Sequence, residues 1–141
     1  MLAAALEALE AAGARIVAHS AILGTAPVGP SSRRYANAAA VIETELPPEE
    51  MLAALLEIER RFGRRRRGRR WRSRVLDLDL VLWSGGAYFA PHLTIPHPEF
   101  RGRAFVLGPA SAIARHWRDP ATGLSLRHLH TRLTRPRPLP R

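Results

Sequence analysis

A chain of 141 residues, 46% apolar and 24% charged, is long enough for one domain with its own core, and its composition excludes a disordered chain. With no cysteine it can build no disulfide framework, thiol nucleophile or thiolate metal site, and with no apolar run near ~20 residues and no secretory leader pattern it is expected in the cytoplasm. Twenty-two arginines face twelve acidic residues, a net charge of +10. The choice of Arg over Lys reads as the codon bias of a GC-rich genome, but the excess of positive charge points to a polyanion, either a nucleic acid or a phosphorylated small molecule.

Residues 2–12 are strong helix formers with a Leu2, Leu6, Leu9 stripe, and Gly13 is a natural stop. Arg15 to Leu23 reads as a strand. Gly24 to Arg34, broken by Pro27, Gly29 and Pro30, is a loop, and Tyr35 to Leu46 is a second strand. A helix follows from about Pro48 to Phe62, with Glu49 and Glu50 at the positive end of its dipole and Met51, Leu55, Ile58 and Phe62 on one face. Residues 60–74 hold ten arginines, and Val75 to Trp83 is the clearest strand. A turn at 84–86 leads to a short strand at 87–90. A helix is expected over 98–114 with a break near Gly108-Pro109, then a turn at 119–123 and a last helix over 124–133. The Arg/Pro tail suits neither a helix nor a central strand. Helices alternating with strands imply an α/β or α+β sandwich, a sheet with helices packed on it.

The sharpest chemical signal is Leu76-Asp77-Leu78-Asp79-Leu80. Side chains alternate along a strand, so Asp77 and Asp79 share one face about 6.5–7 Å apart at Cα, while the leucines point into a core. Two carboxylates so placed repel each other unless a cation intervenes. Hard oxygen ligands beside a phosphate chain suit Mg²⁺. The competing reading is a wet strand face paired with arginines. The arginine run feeds directly into this strand. Guanidinium forks and Mg²⁺ around one volume suit a nucleoside triphosphate, although an arginine run alone is most often a solvated loop or a nucleic-acid patch. Trp71 inside the run either stacks on a planar ligand or anchors the loop. Tyr35 and Asn37 share a strand face; alone they read as a sheet surface pair, and Asn37 could also read the edge of a heterocycle. His97 is flanked by Pro96 and Pro98, and no nucleophile arrangement is present.

In order, these residues resemble the 6-hydroxymethyl-7,8-dihydropterin pyrophosphokinases of folate biosynthesis over residues 1–115. The carriers are Thr25-x-Pro27-Val28-Gly29-Pro30, Tyr35-x-Asn37, Glu59 with Gly63-Arg64-x-Arg66, Trp71 with Arg74-Val75-Leu76-Asp77-Leu78-Asp79, Leu93 to Pro98, and Arg103 to Leu107. The resemblance implies an α/β (α+β) fold, a ferredoxin-like three-layer sandwich with a mainly antiparallel sheet and helices on both faces. It also implies pyrophosphate transfer from ATP to the pterin hydroxymethyl group, with release of AMP. By that likeness Asp77 and Asp79 hold two Mg²⁺ ions, and Arg64 and Arg74 stabilise the migrating group. Arg66, His97 and Arg103 contact ATP phosphates, with Glu59, Leu80 and Thr94 near the nucleoside. Thr25, Pro27, Val28 and Asn37 read the pterin edge, while Tyr35, Trp71 and Phe105 surround its ring. Residues 1–133 are expected to form one domain and 134–141 a disordered tail. Small-molecule partners are expected, with neither membrane nor nucleic acid, and a monomeric chain. The family opens on a strand ending in Gly-Ser-Asn, whereas this chain starts inside the following helix, so a late-assigned start or a truncated, inactive relative is expected. Arg72-Ser73 stands where the family has Gly-Pro, and Ser31-Ser32-Arg33-Arg34 replaces its Gln-Pro stretch. The rival function is an arginine-rich nucleic-acid-binding module.

Overall fold

The computed structural model describes residues 2–25, 35–64 and 76–136, with backbone alone at Leu23, Thr25, Tyr35 and Arg64. The expectations for Pro27, Val28, Arg66, Trp71, Arg74 and the end of the tail lie outside the described residues. The fold is α+β. Helices α1 (Leu2–Ala11), α2 (Pro48–Arg64), α3 (Ala104–Ala114) and α4 (Leu126–Thr134) accompany strands β1 (Arg15–His19), β2 (Leu23–Thr25), β3 (Tyr35–Asn37), β4 (Ala40–Glu43), β5 (Tyr88–Ala90) and β6 (Leu93–Ile95). Among the described residues the strands form three pairs, β1 with β4, β2 with β3 and β5 with β6, where one sheet was expected. The chain divides into two compact units: unit 1 is Met1–Ala18 with Ile42–His97, and unit 2 is His19–Val41 with Pro98–Arg141.

Unit 1 is built on α1 and α2. Met51, Leu55, Ile58 and Phe62 recur at helical spacing and are all buried, joined by Ala5, Leu9, Ala14 and Leu76. Leu56, beside that stripe, stays half in solvent. Helix α1 ends as its glycine predicts. The Ala14 amide donates to the Leu9 carbonyl at 3.1 Å and the Gly13 amide to the Glu10 carbonyl at 3.0 Å, with Gly13 at φ +99°. This is the Schellman closure, and Ala14 is buried in the same core as Leu9.

The two long strands expected over 15–23 and 35–46 are each interrupted. Buried Ser20 is the cause on one side. Its amide donates to the Ala39 carbonyl at 2.8 Å, but the Ala39 amide donates to the Ser20 hydroxyl oxygen at 2.9 Å instead of to a backbone carbonyl. A side chain therefore replaces one rung, and each strand is split at that point.

The expected strand over 75–83 is also corrected. Residues 76–83 carry no strand pairing among the described residues, although burial alternates over 76–80: Leu76 is buried, Leu78 and Leu80 are half-buried, and Asp77 and Asp79 are exposed. The backbone is extended by its side-chain pattern but lacks the ladder that defines a strand. Strand β6, absent from the sequence reading, pairs antiparallel with β5, Phe89 opposite Thr94.

Unit 2 packs a 3₁₀ turn (Phe100–Gly102), α3 and α4 around Phe100, Leu107, Leu126 and Leu129. The break expected at Gly108-Pro109 lies instead at Arg103, between the 3₁₀ turn and α3, and α3 runs through Pro109. Proline there removes one amide, but its ring is buried, which offsets part of the loss. The Ser125 hydroxyl caps α4 by accepting from the His128 amide at 3.1 Å.

Candidate functional site

In unit 1 the two carboxylates of the 76–80 segment are placed as alternation requires. The leucines on either side pack into or against the core, so Asp77 and Asp79 are directed to solvent. Between them, the Leu78 amide donates to the Glu59 carboxylate on α2 at 2.5 Å. A charged acceptor is thus fixed to the one amide that lies between both aspartates. Such charge-assisted bonds are stronger than neutral ones, so α2 sets where the carboxylate pair sits. Glu59 was expected near a nucleoside, and its contact with the Leu78 backbone was not foreseen. The 76–83 segment is tied a second time, by the His97 amide donating to the Val81 carbonyl at 3.0 Å. That bond brings half-buried His97 alongside the end of the aspartate segment. Thr94 is half-buried on β6, and Leu80 packs against the core.

The Mg²⁺ implied by the resemblance asks for hard oxygen donors. Asp77 and Asp79 are hard oxygen donors exposed on one side of an extended segment. Among the described residues no three or more His, Cys, Asp or Glu side chains form a metal-holding group. Two carboxylates leave coordination positions for phosphate oxygens and water, which is how Mg²⁺ is ordinarily held. The residues therefore fit the ion as a partner of a phosphate chain, not as the occupant of an all-protein cage.

Unit 2 carries a second set. Thr25 lies opposite Tyr35 and Leu23 opposite Asn37 in the β2–β3 register, so three residues expected around a pterin share two paired strands. Arg103 is the N-cap residue of α3. Its guanidinium is paired with the Glu99 carboxylate and lies 5.6 Å from the centre of the Phe105 ring. Phe105 remains 45% exposed, a large ring left available on the surface.

Two residues of unit 2 escaped the sequence reading. Asp119 is fully buried, and its carboxylate accepts from Arg101 Nε at 2.5 Å and Arg101 Nη2 at 2.8 Å. It also accepts from the Ala121 amide at 3.0 Å and the Thr122 hydroxyl at 2.9 Å. The Arg101 bond, reinforced by those two donors, holds the carboxyl pKa down at about 2 against the opposing effect of burial. Arg101 is pushed up in turn by the same carboxylate. The Asp-Pro-Ala-Thr-Gly turn was legible, but nothing local pointed to an arginine eighteen positions earlier. In unit 1, Tyr88 donates its hydroxyl to Glu49 at 2.7 Å, and that bond raises its pKa.

An α+β chain bearing exposed paired carboxylates, an imidazole and guanidinium groups has the equipment of a protein that handles phosphate chains. The chain belongs to the 7,8-dihydro-6-hydroxymethylpterin-pyrophosphokinase family, whose model matches residues 1–115. It is 44% identical over 116 residues to the 2-amino-4-hydroxy-6-hydroxymethyldihydropteridine pyrophosphokinase of Methylorubrum extorquens, covering 81% of this chain and 73% of that protein. It is 41% identical over 98 residues to the Synechocystis protein of the same name, covering 70% of this chain and 50% of that one. The Pseudomonas aeruginosa enzyme is 40% identical over 119 residues, 83% of this chain and 73% of its own. The chain thus spans between half and three-quarters of the length of these relatives.

Proposed function

We propose that the chain transfers a pyrophosphoryl group from ATP to the hydroxymethyl oxygen of 6-hydroxymethyl-7,8-dihydropterin. Residues 1–133 act as one functional domain; the family match over residues 1–115, which takes in parts of both units, supports this for that stretch. The observation that carries the reading is the Asp77-Leu78-Asp79 segment, with both carboxylates outward and its central amide held by Glu59.

In the reaction the pterin hydroxyl oxygen bonds to the β-phosphorus of ATP and gives up its proton. The bond from that phosphorus to the oxygen bridging to the α-phosphate breaks, and AMP leaves. Such transfers need alignment and charge stabilisation more than covalent help, in keeping with a chain that has no nucleophile arrangement. Asp77 and Asp79 would hold Mg²⁺, which supplies neutralising charge to the phosphate oxygens. Arg64 and Arg74 stabilise charge on the moving group, and Arg66, His97 and Arg103 bind the phosphate chain. Leu80 and Thr94 border the nucleoside, and Glu59 orders the carboxylate segment from behind. Thr25, Pro27, Val28 and Asn37 read the edge of the pterin. Tyr35, Trp71 and Phe105 enclose its ring and exclude water, so that the alcohol is the acceptor in place of solvent.

The test is product formation. AMP and pterin pyrophosphate should appear together, in equal amounts, only when ATP, Mg²⁺ and the hydroxymethyldihydropterin are all present. AMP or ADP formed at the same rate without the pterin would contradict the reading.

A further inference from the structure

The buried ion pair of unit 2 has no place in the chemistry above, yet it sits two residues from a phosphate-binding candidate. A fully buried carboxylate is costly unless every lone pair finds a donor, and that of Asp119 accepts four bonds. Stability alone is a weak reason for such a pair, because apolar residues of the same volume would often do as well. What a bidentate carboxylate–guanidinium pair adds is fixed geometry.

The segment it fixes is short and held at both ends. Phe100 is fully buried, and Arg101 also lies over its ring, 4.7 Å from the centre. The Gly102 amide donates to the Glu99 carbonyl at 3.2 Å and the Arg103 amide to the Phe100 carbonyl at 3.3 Å. The Arg103 carbonyl then accepts from Val106 at 3.0 Å and Leu107 at 2.9 Å, opening α3. The Arg103 backbone is thereby clamped between a stapled turn and a helix, while its side chain is engaged by the Glu99 carboxylate and the Phe105 ring.

We propose that Asp119 is a positioning residue. Through Arg101 it holds the Phe100–Gly102 turn so that the guanidinium of Arg103 is presented to nucleotide phosphate from one fixed place. The proposal rests on the reading of Arg103 as a phosphate contact.

The experiment is an equilibrium titration of the full chain with Mg²⁺ and a non-hydrolysable ATP analogue, at a temperature where circular dichroism shows every variant folded. The variants are Asp119→Asn, Arg103→Gln and the double substitution, with Arg101→Gln breaking the staple from its exposed side should Asp119→Asn not fold. Arg103→Gln should weaken binding tenfold or more, and Asp119→Asn or Arg101→Gln about fivefold. The double variant should bind no more weakly than Arg103→Gln alone, because Asp119 acts only through that guanidinium. Wild-type affinity in Asp119→Asn, or in Arg101→Gln where Asp119→Asn does not fold, or a further fivefold loss when either is combined with Arg103→Gln, overturns the proposal and leaves a purely structural ion pair. Wild-type affinity in Arg103→Gln, or no binding by the parent chain, overturns the phosphate reading itself and the proposal with it.

Discussion

Replacing Asp119 by Asn removes the charge that pairs with Arg101 but keeps the shape. Hydrogen bonds to charged groups contribute about 1.5–3 kcal/mol, so Asp119→Asn should cost about 2–3 kcal/mol at pH 7 in urea unfolding. The sign of its pH dependence follows from a folded pKa of about 2 against an unfolded value of about 3.9. The native state favours the ionised carboxylate, so its contribution is complete above the unfolded value and disappears as pH falls through the folded one. The gap in stability between parent and variant should therefore stay constant from pH 7 to about 5 and close towards pH 2. A gap that widened on acidification would refute this. Glu59 offers a second check. Glu59→Ala strands the Leu78 amide, so it should cost about 1.5–3 kcal/mol and weaken nucleotide binding about tenfold, while Glu59→Gln, which keeps an acceptor, should recover most of both. At this scale the sequence was informative where the signal was local. The outward placement of Asp77 and Asp79 was readable from a two-residue period, and the Asp119 turn from its Pro and Gly. The partners Arg101 and Glu59 were not, because pairing across eighteen or nineteen positions leaves no periodic trace.

Elements show the same division between pattern and partner. The apolar faces of α1 and α2 were legible because 3.6-residue spacing is an intrinsic property of the chain, and Ile58, which is fully buried in that face, should cost about 2–5 kcal/mol when cut to Ala. The end of α1 was legible because its backbone needs a glycine. Gly13 sits at φ +99° with open space where a Cβ would go, so Gly13→Ala should cost about 1 kcal/mol from backbone strain alone. Thermal unfolding checks both values, and a Gly13→Ala chain as stable as the parent would remove the Schellman argument. Segment 75–83 shows where pattern stops. Its alternation fixed which side chains face the core, but a ladder needs a neighbour, and none is paired to residues 76–83 among the described residues. The interruption at Ser20 and Ala39 was hidden for a related reason: a serine hydroxyl standing in for a carbonyl looks like any other polar residue in a strand. In α3, proline suggested a break that burial of its ring outweighed.

Across the whole molecule, charge is distributed unevenly. Unit 2 holds only Glu99 and Asp119 as acidic residues, and both are engaged with arginines, whereas unit 1 holds the remaining carboxylates and the arginine run. No helix among the described residues is long and apolar enough to cross a membrane. Asp77 and Asp79, turned outward by the leucines between and beside them, are proposed to hold the divalent cation that a nucleotide brings. Calorimetric titration of a non-hydrolysable ATP analogue, with and without Mg²⁺, into the parent chain and into Asp77→Asn and Asp79→Asn tests it most directly. Mg²⁺-dependent binding is expected in the parent, with at least a hundredfold loss in either variant, about 2.7 kcal/mol or more. Equal affinity without Mg²⁺, or in both variants, would contradict it.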